Sequence, residues 1–421
     1  VPYALPGERV AYDPSVPHGR ARIITPSDQR IKPVCPHFLT CPGCQAQHMS
    51  PELYEAWKRA QVAEQFRFHG PDADCIANAR WVPSSVGARR RVAFSARRGK
   101  TEVLIGFLAA QGGKTDGSSP TAQHTLPALA PIQQCPILVP AIERRLLDLK
   151  VVLRPLLSRK GQVRVHVTAA DNGLDVCVIG VAPETARTSL SAPEFQEALA
   201  RCGIIRFSVM TADRKGQAPV SGADASTVFQ QVEPVLRYPA VTVPLPVAPF
   251  LQASAAAEEA IAATVANYAN RERTPPRLVA DLFCGLGALS WRLAELSAVE
   301  GYDSDAQAIA AAQRAVRSSK GLKPLTFARR NLFREPLAPR ELSRFDCVVF
   351  DPPRAGARAQ AEALKEAENV QTVIAVSCNP ATLGRDLALL RDAFTVTDVT
   401  LIDQFIYTPH IEVVARLERR T

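Results

Sequence analysis

The stretch Leu278-Val279-Ala280-Asp281-Leu282-Phe283-Cys284-Gly285-Leu286-Gly287 decides the fold. A short apolar run meets an acidic residue and then two glycines, and a helical pattern follows. Gly285 and Gly287 let the backbone turn tightly and approach a ligand. About 20 residues further on, a second predicted strand, Ala298–Tyr302, ends in Asp303, a carboxylate placed to bond ribose hydroxyls. The third glycine of the dinucleotide fingerprint is absent, and no Gly-Lys-Ser/Thr follows, so the loop is not a P-loop. Asp-x-Phe-x-Gly-x-Gly favours S-adenosylmethionine over a nicotinamide nucleotide, although a tight turn in any α/β sheet would carry the same glycines.

Outward from this loop the chain alternates strand and helix. Strands are predicted at Leu278–Phe283, Ala298–Tyr302, Leu325–Ala328, Cys347–Phe350, Thr372–Ser377 and Val396–Leu401. Helices are predicted at Ala255–Asn270, Ala288–Leu296, Ala306–Ser318, Ala359–Glu368 and Leu383–Ala393. Such alternation gives a mostly parallel α/β sheet. From about 80 to 245 the pattern is mostly β, as in Val103–Leu108, Val163–Val167 and Leu174–Ile179, with helical stretches near 137–150 and 192–201. Gln111–Pro120 reads as a flexible loop. A helix is expected over 51–68, with Ser50 as its N-cap and Pro51 first. Residues 1–34 read as a few short strands, among them Arg20–Ile24. The expected divisions are therefore 1–34, 35–245 and 246–421, without internal repeats.

The 421 residues are 47% hydrophobic, which gives a globular chain with ample core. No run of apolar residues is long enough for a transmembrane helix, and no signal peptide is visible. The first residue is Val1, so the chain is expected to be trimmed or to begin partway into a longer one. A net charge of +9 suits a polyanionic partner, though solubility alone explains many such excesses. Ten cysteines are too sparse for a disulfide scaffold, and the tight group Cys35, Cys41 and Cys44 points to a metal or cluster in a reducing cytoplasm.

Two predicted strands of the α/β region end in reactive groups. One runs into Phe350-Asp351-Pro352-Pro353-Arg354, the other into Ser377-Cys378-Asn379-Pro380. Carboxyl ends of such strands are where open α/β sheets bind ligands. Amino-group methyltransferases often follow Asp/Asn-Pro-Pro with a stacking aromatic residue; Arg354 stands there instead, which argues against exocyclic-nitrogen methylation. Glu412 opens a last apolar strand near the same edge. A cysteine and a carboxylate beside a methyl donor suit carbon methylation. Thiolate addition to carbon-6 of a pyrimidine makes carbon-5 nucleophilic, and a base must later remove the carbon-5 proton. An inert buried Cys378 and a solvated Glu412 are the bland alternatives. A free thiol ionises near pKa ~8.5, so Cys378 needs activation from its surroundings.

With these residues in place, the chain resembles the RNA uracil-5-methyltransferase family. The matching stretches are Phe250-Leu251-Gln252, DLFCGLG, DPPRAGA, SCNPATLGRD and His410-Ile411-Glu412, with LPGERV, CPHFLTCPGCQAQH and Cys135 nearer the amino terminus. The resemblance covers nearly the whole chain and is weakest over 140–240. It implies an α/β protein: a C-terminal Rossmann-like class I methyltransferase domain, a β-rich central RNA-binding domain and a partial N-terminal OB-like (TRAM) segment whose first strands are missing. It implies Cys378 as nucleophile, Glu412 as base, and donor contacts from Gln252, Phe283, Asp303, Asn331 and Asp351 beside Gly285 and Gly287. Two positions depart from the family: Ala288 and Ser254 stand where Asn is common. Asp303 also replaces a usual Glu.

Cys35-x5-Cys41-x2-Cys44 with Cys135 supplies four thiolates, which on spacing suit zinc or an iron–sulfur centre alike. The spacing is not the Cys-x3-Cys-x2-Cys of radical enzymes that use the same donor. The resemblance implies a 4Fe–4S cluster, whose expected role is structural. Arg89, Arg90, Arg91, Arg97, Arg98 and Lys100 are six basic residues in twelve, and strand alternation predicts several on one face as a phosphate track. A solvated basic edge is the other reading, and Phe94 is expected in the core. A target uridine must be flipped out, at a cost of a few kcal/mol that is least in loops, so structured RNA is the expected substrate. The cysteines and the TRAM-like start favour ribosomal over transfer RNA. The alternatives are a DNA cytosine-5 methyltransferase, against which the position of Cys378 argues, and a catalytically idle RNA-binding iron–sulfur protein. A cytoplasmic monomer with no obligate protein partner and no membrane association is expected.

Overall fold

The computed structural model describes residues 3–11, 22–69, 73–108, 128–158, 161–181, 192–210, 225–271 and 274–420. The predicted loop Gln111–Pro120, and Arg20 and Ala21 of the first predicted strand, lie outside these residues.

Among the described residues, an eight-stranded sheet runs in the order Leu325–Arg329, Ala298–Asp303, Leu278–Leu282, Cys347–Phe350, Thr372–Ser377, Glu412–Arg419, Phe394–Ile402 and Arg80–Val82. The first five are mutually parallel, and Glu412–Arg419 enters antiparallel between Thr372–Ser377 and Phe394–Ile402. Parallel strands covered on both faces read as unbroken apolar runs, and Cys347–Phe350 is buried throughout. The helices Ala255–Ala269, Ala288–Leu293, Ala306–Val316, Arg358–Lys365 and Pro380–Leu390 flank the sheet in the predicted alternation. The strand order turns back between Leu278–Leu282 and Cys347–Phe350, which opens a crevice at the carboxyl ends of the strands.

The chain before residue 246 also contributes to this unit. The helix Pro51–His69 packs on Pro380–Leu390, and Arg80–Val82 pairs in parallel with Phe394–Ile402 as the edge strand. Val62, Phe66, Ile76 and Ala79 share an apolar cluster with Val348, Phe350, Leu383 and Val413. Residues 51–82 therefore cross the division expected at 246.

The central region is a second sheet, in the order Ser226–Gln230, Ile204–Met210, Gly173–Ile179, Gln162–Ala170, Arg91–Arg98, Val103–Leu108 and Leu129–Pro131. Its strands alternate. Val92, Phe94, Ala96, Val163, Val165 and Val167 enter one core, whereas Arg91, Arg97, Gln162 and Arg164 lie on the opposite face. Two buried ion pairs tie the regions together. The Arg90 guanidinium donates to Glu258 at 2.7 Å. That of Arg206 meets both oxygens of Asp175 at 2.9 and 2.7 Å and donates to the carbonyls of Leu245 and Pro246, fixing the connection between the sheets. Near the amino terminus, Arg9–Ala11 pairs antiparallel with Arg22–Thr25. No helix among the described residues is long and apolar enough to cross a membrane.

Arg206→Met removes one partner of a buried pair and leaves the Asp175 carboxylate enclosed. The expected loss is about 3–5 kcal/mol, read as a lowered urea midpoint. A midpoint equal to the parent's would show that the pair does not hold the connection.

Candidate active site

The glycine loop is left-handed where the sequence places its glycines, and strained at Phe283. Phe283, Gly285 and Gly287 all have positive φ, of 63°, 53° and 83°. A Cβ on Gly287 would stand 2.7 Å from Phe327 Cζ, so that position admits no side chain. Asp303, at the end of the neighbouring strand, accepts from the Gly285 amide at 2.9 Å and the Asp305 amide at 2.8 Å, and so pins the loop. Asn331 uses its carbonyl oxygen to close a turn, accepting from the Phe333 and Arg334 amides. That turn brings the exposed Phe333 ring to 5.4 Å from Phe283. Phe333 had no signal in the sequence beyond its place two residues after Asn331.

Beneath the loop, Asp281 is fully buried. One of its oxygens accepts from Ser290 Oγ, and the other has no hydrogen-bond partner among the described residues. Burial pushes the Asp281 carboxyl up to about 7, and the nearby carboxylates of Asp351 and Asp303 add to the shift. Asp351 is raised as well, by enclosure of its carboxyl group, although Gln252 Nε2 donates to it at 3.0 Å. Asp281, Asp303 and Asp351 thus gather three carboxyl groups about the glycine loop.

The reactive pair stands beside this crevice. Ser377 pairs with Val413 as the last antiparallel partners, so Cys378 and Glu412 come next across from each other. Glu412 is 1% exposed and accepts from Gln404 Nε2. The same amide donates to Gln252 Oε1 at 2.8 Å, and Gln404 Oε1 accepts from the Ala253 amide at 2.9 Å. A chain of side chains thus runs Glu412, Gln404, Gln252, Asp351. Gln404 was not legible in the sequence, because no motif marks it. Burial holds the Glu412 carboxyl well above the ordinary carboxylate range, and Asp351 adds to the effect. Cys378 is half-buried, and its thiol is pushed up to about 11 by burial, Glu412 and Asp351, with the Arg354 guanidinium opposing. Asn379 caps the helix that follows, accepting from the Ala381 amide and donating to the Arg354 carbonyl. Helix start and Arg354 together are the local sources of thiolate stabilisation.

Of the two departures from the family pattern, Ser254 proves to be the N-cap of Ala255–Ala269, its hydroxyl accepting from the Ala257 amide at 3.0 Å. Serine caps about as well as asparagine. Ala288 is the first residue of the helix after the glycine loop.

Cys35, Cys41, Cys44 and Cys135 line one cavity of about 310 Å³, together with Arg89, Arg354, Gln404 and His410. Burial, and then the neighbouring cysteines, pushes Cys44 up to about 11 and Cys135 up to about 12. Among the described residues no three His, Cys, Asp or Glu side chains converge on a point as one metal ion requires. A four-iron cluster takes one thiolate per iron around its periphery, so its ligands surround a cavity rather than meet at a point.

The basic stretch divides. Arg90 is buried against Glu258 and does not face solvent. Arg89 lines the cysteine cavity, and Arg91 stands over the exposed Phe250 ring at 5.8 Å. Arg91 and Arg97 share a face of their strand, Arg98 lies on the other, and Lys100 is exposed in the following turn. The predicted single track is thus reduced to part of its members.

Residues 249–420 match the family model described as tRNA (uracil-5-)-methyltransferase. The uncharacterized RNA methyltransferase of Brucella suis is 37% identical over 424 residues, covering 100% of this chain and 92% of its own. The 23S rRNA (uracil(1939)-C(5))-methyltransferase of Shewanella baltica is 28% identical, covering 99% and 90%. Among solved structures, Pyrococcus abyssi tRNA (uracil-54, C5)-methyltransferase in complex with S-adenosyl-L-homocysteine matches the fold, with a TM-score of 0.68 at 20% identity over 99% of this chain and 94% of that one.

Burial pushes the Asp281 carboxyl up to about 7, and a cationic ligand beside it would favour the ionised form. Affinity for S-adenosylmethionine should therefore rise with pH through about 7, and binding there should release protons. Calorimetry in buffers of different ionisation heat is expected to show release near pH 7 and roughly tenfold weaker binding about one pH unit below Asp281's pKa than above it. Affinity independent of pH, without proton exchange, would contradict this.

Proposed function

This chain belongs to the RNA uracil-5-methyltransferases, S-adenosylmethionine-dependent enzymes, and on that premise we propose that it methylates carbon-5 of a uridine in large-subunit ribosomal RNA through a covalent Cys378 adduct. The observation that carries the reading is the placement of Cys378 across from Glu412, beside the glycine loop. The ribosomal target rests on the Shewanella relative, which spans nearly the whole chain. The family model's description keeps transfer RNA as the second candidate.

S-adenosylmethionine supplies an electrophilic methyl on sulfonium. The chain's own residues do the rest. Gln252, Phe283, Gly285, Gly287, Asp303, Asn331 and Asp351 hold the donor, with Asp281 beneath. A cation held by these carboxylates offsets the repulsion that Asp351 exerts on the Cys378 thiol, and Arg354 adds to the gain. The thiolate forms a bond to carbon-6 of an extruded uracil, and the ring electrons move to carbon-5, which takes the methyl as its bond to the sulfonium sulfur breaks and S-adenosylhomocysteine is left. Glu412 then removes the carbon-5 proton; the carbon-5–carbon-6 double bond returns and the carbon–sulfur bond breaks. A base works best with a pKa near the working pH, which suits the upward shift at Glu412.

Cys35, Cys41, Cys44 and Cys135 are read as ligands of a 4Fe–4S cluster with a structural role. Residues 1–34 are read as part of an OB-like TRAM segment, 35–245 as the RNA-binding region except for 51–82, which pack into the catalytic unit, and 246–421 as the catalytic domain of a cytoplasmic monomer. Arg91, Arg97 and Lys100 are the members of the basic stretch best placed for phosphate.

Cys378→Ala should abolish methylation with RNA binding retained, and turnover by that variant would refute the covalent route. Glu412→Gln should slow release by about 10²–10⁴ and trap a protein–RNA adduct, visible as a retarded band on a denaturing gel. Loss of one 5-methyluridine from ribosomal RNA in a deletion strain would identify the target; loss from transfer RNA instead would select the second candidate.

A further inference from the structure

Lys58 is fully buried, although its helix presents other charged residues to solvent. An ammonium has three N–H donors and no acceptor. Here all three find acceptors in one short segment: Asp403 Oδ1 at 2.7 Å, the Phe405 carbonyl at 3.3 Å and the His410 carbonyl. The segment joins the ends of Phe394–Ile402 and Glu412–Arg419, so one amine grips the connection at its start, middle and end. Tyr54, one turn earlier, adds a second grip. Its hydroxyl donates to Asp403 Oδ2 at 2.8 Å and accepts from the Tyr407 amide at 2.8 Å. Tyr407 has φ of 62°, a conformation that needs such support. Its carbonyl in turn accepts from the Gln45 and Ala46 amides, just past Cys44.

The gripped segment contains Gln404, next to Asp403, and ends two residues before Glu412. Gln404 is the side chain that contacts Glu412, Gln252 and the Ala253 amide. A buried ion pair adds little stability over apolar packing of the same volume. Its value here is geometric. We propose that Lys58, with Tyr54, is a positioning residue for proton abstraction, holding the 403–410 segment so that Gln404 and Glu412 keep their places. The inference rests on Glu412 being the base. Cys378 follows a different strand, Thr372–Ser377, and none of the three acceptors of the Lys58 ammonium lies on it. Loss of the clamp should therefore impair the last step more than the first.

The test uses the full chain and an RNA substrate. Lys58→Met, checked for folding by circular dichroism and assayed at saturating S-adenosylmethionine, should lose much less of its single-turnover methylation than of its multiple turnover. Its multiple turnover should fall tenfold or more, and the protein–RNA adduct should accumulate on a denaturing gel. Tyr54→Phe should show the same pattern more weakly, and it decides the matter if Lys58→Met does not fold. Turnover within twofold of the parent without adduct, or equal loss of single and multiple turnover, would overturn the inference. Glu412→Gln run beside them separates the two claims. If it traps the adduct and the clamp variants do not, the clamp fails alone; if it traps none, the assignment of the base fails and the clamp with it.

Discussion

The pairing of Thr372–Ser377 with Glu412–Arg419 is the constraint on which the site depends. A slip of one residue in an antiparallel pair turns every side chain to the other face. Here both faces are buried, and the register is fixed from both sides. Val373, Ala375, Val413, Ala415 and Leu417 enter one apolar cluster, while Ile374, Val376 and Val414 enter the other. The partners Ala375 with Ala415, Val376 with Val414 and Val373 with Leu417 are therefore matched in kind. Apolar burial far from any chemistry thus dictates that the residue after Ser377 meets the residue before Val413. The reactive geometry is the last rung of a ladder whose lower rungs are aliphatic.

The same crevice collects negative charge that the protein alone does not neutralise. Asp281, Asp351 and Glu412 are all raised chiefly by burial, and for Asp281 and Glu412 the Asp351 carboxylate adds to the shift. Cys378 is raised by two of the same groups. Burial and mutual repulsion thus disfavour the ionised forms of both thiol and base. A bound cation changes both at once, since opposite charge favours the ionised forms. On the proposed mechanism, donor binding and nucleophile activation are one electrostatic event. The amide chain from Glu412 through Gln404 and Gln252 to Asp351 connects the groups concerned by hydrogen bonds.

What the sequence disclosed and what it concealed follow from range. The strands Cys347–Phe350 and Thr372–Ser377 match their predicted bounds, because a parallel strand buried on both faces is an apolar run with clear ends. The glycine loop and the ends of strands bearing Asp303, Asp351, Cys378 and Glu412 were legible for the same reason. Arg80–Val82 was not, being three residues with no period, recruited by a strand more than three hundred residues later. Lys58 carried no signal of its own in the sequence, since its partner Asp403 lies 345 positions away. Arg90 looked like a phosphate contact because it sits in a basic run, yet Glu258 claims it. In each case the residue's job is set by a partner that local pattern cannot see.

That division of the basic run shapes the route to the site. With Arg90 committed to the join between regions, Arg91 and Arg97 share their sheet face with Arg164 of the adjacent strand. Arg91 at one end stands over Phe250, two residues before Gln252, which belongs to the hydrogen-bonded chain at Glu412. Charge on the sheet therefore leads, through one exposed aromatic ring, to the crevice. Arg90 and Glu258 fix this adjacency, because Arg90 also donates to the Gln252 carbonyl and its amide to the Ala253 carbonyl. A polyanion lying along the sheet would meet the chemistry without the two regions having to find each other, since a buried ion pair and two backbone contacts already hold them in register.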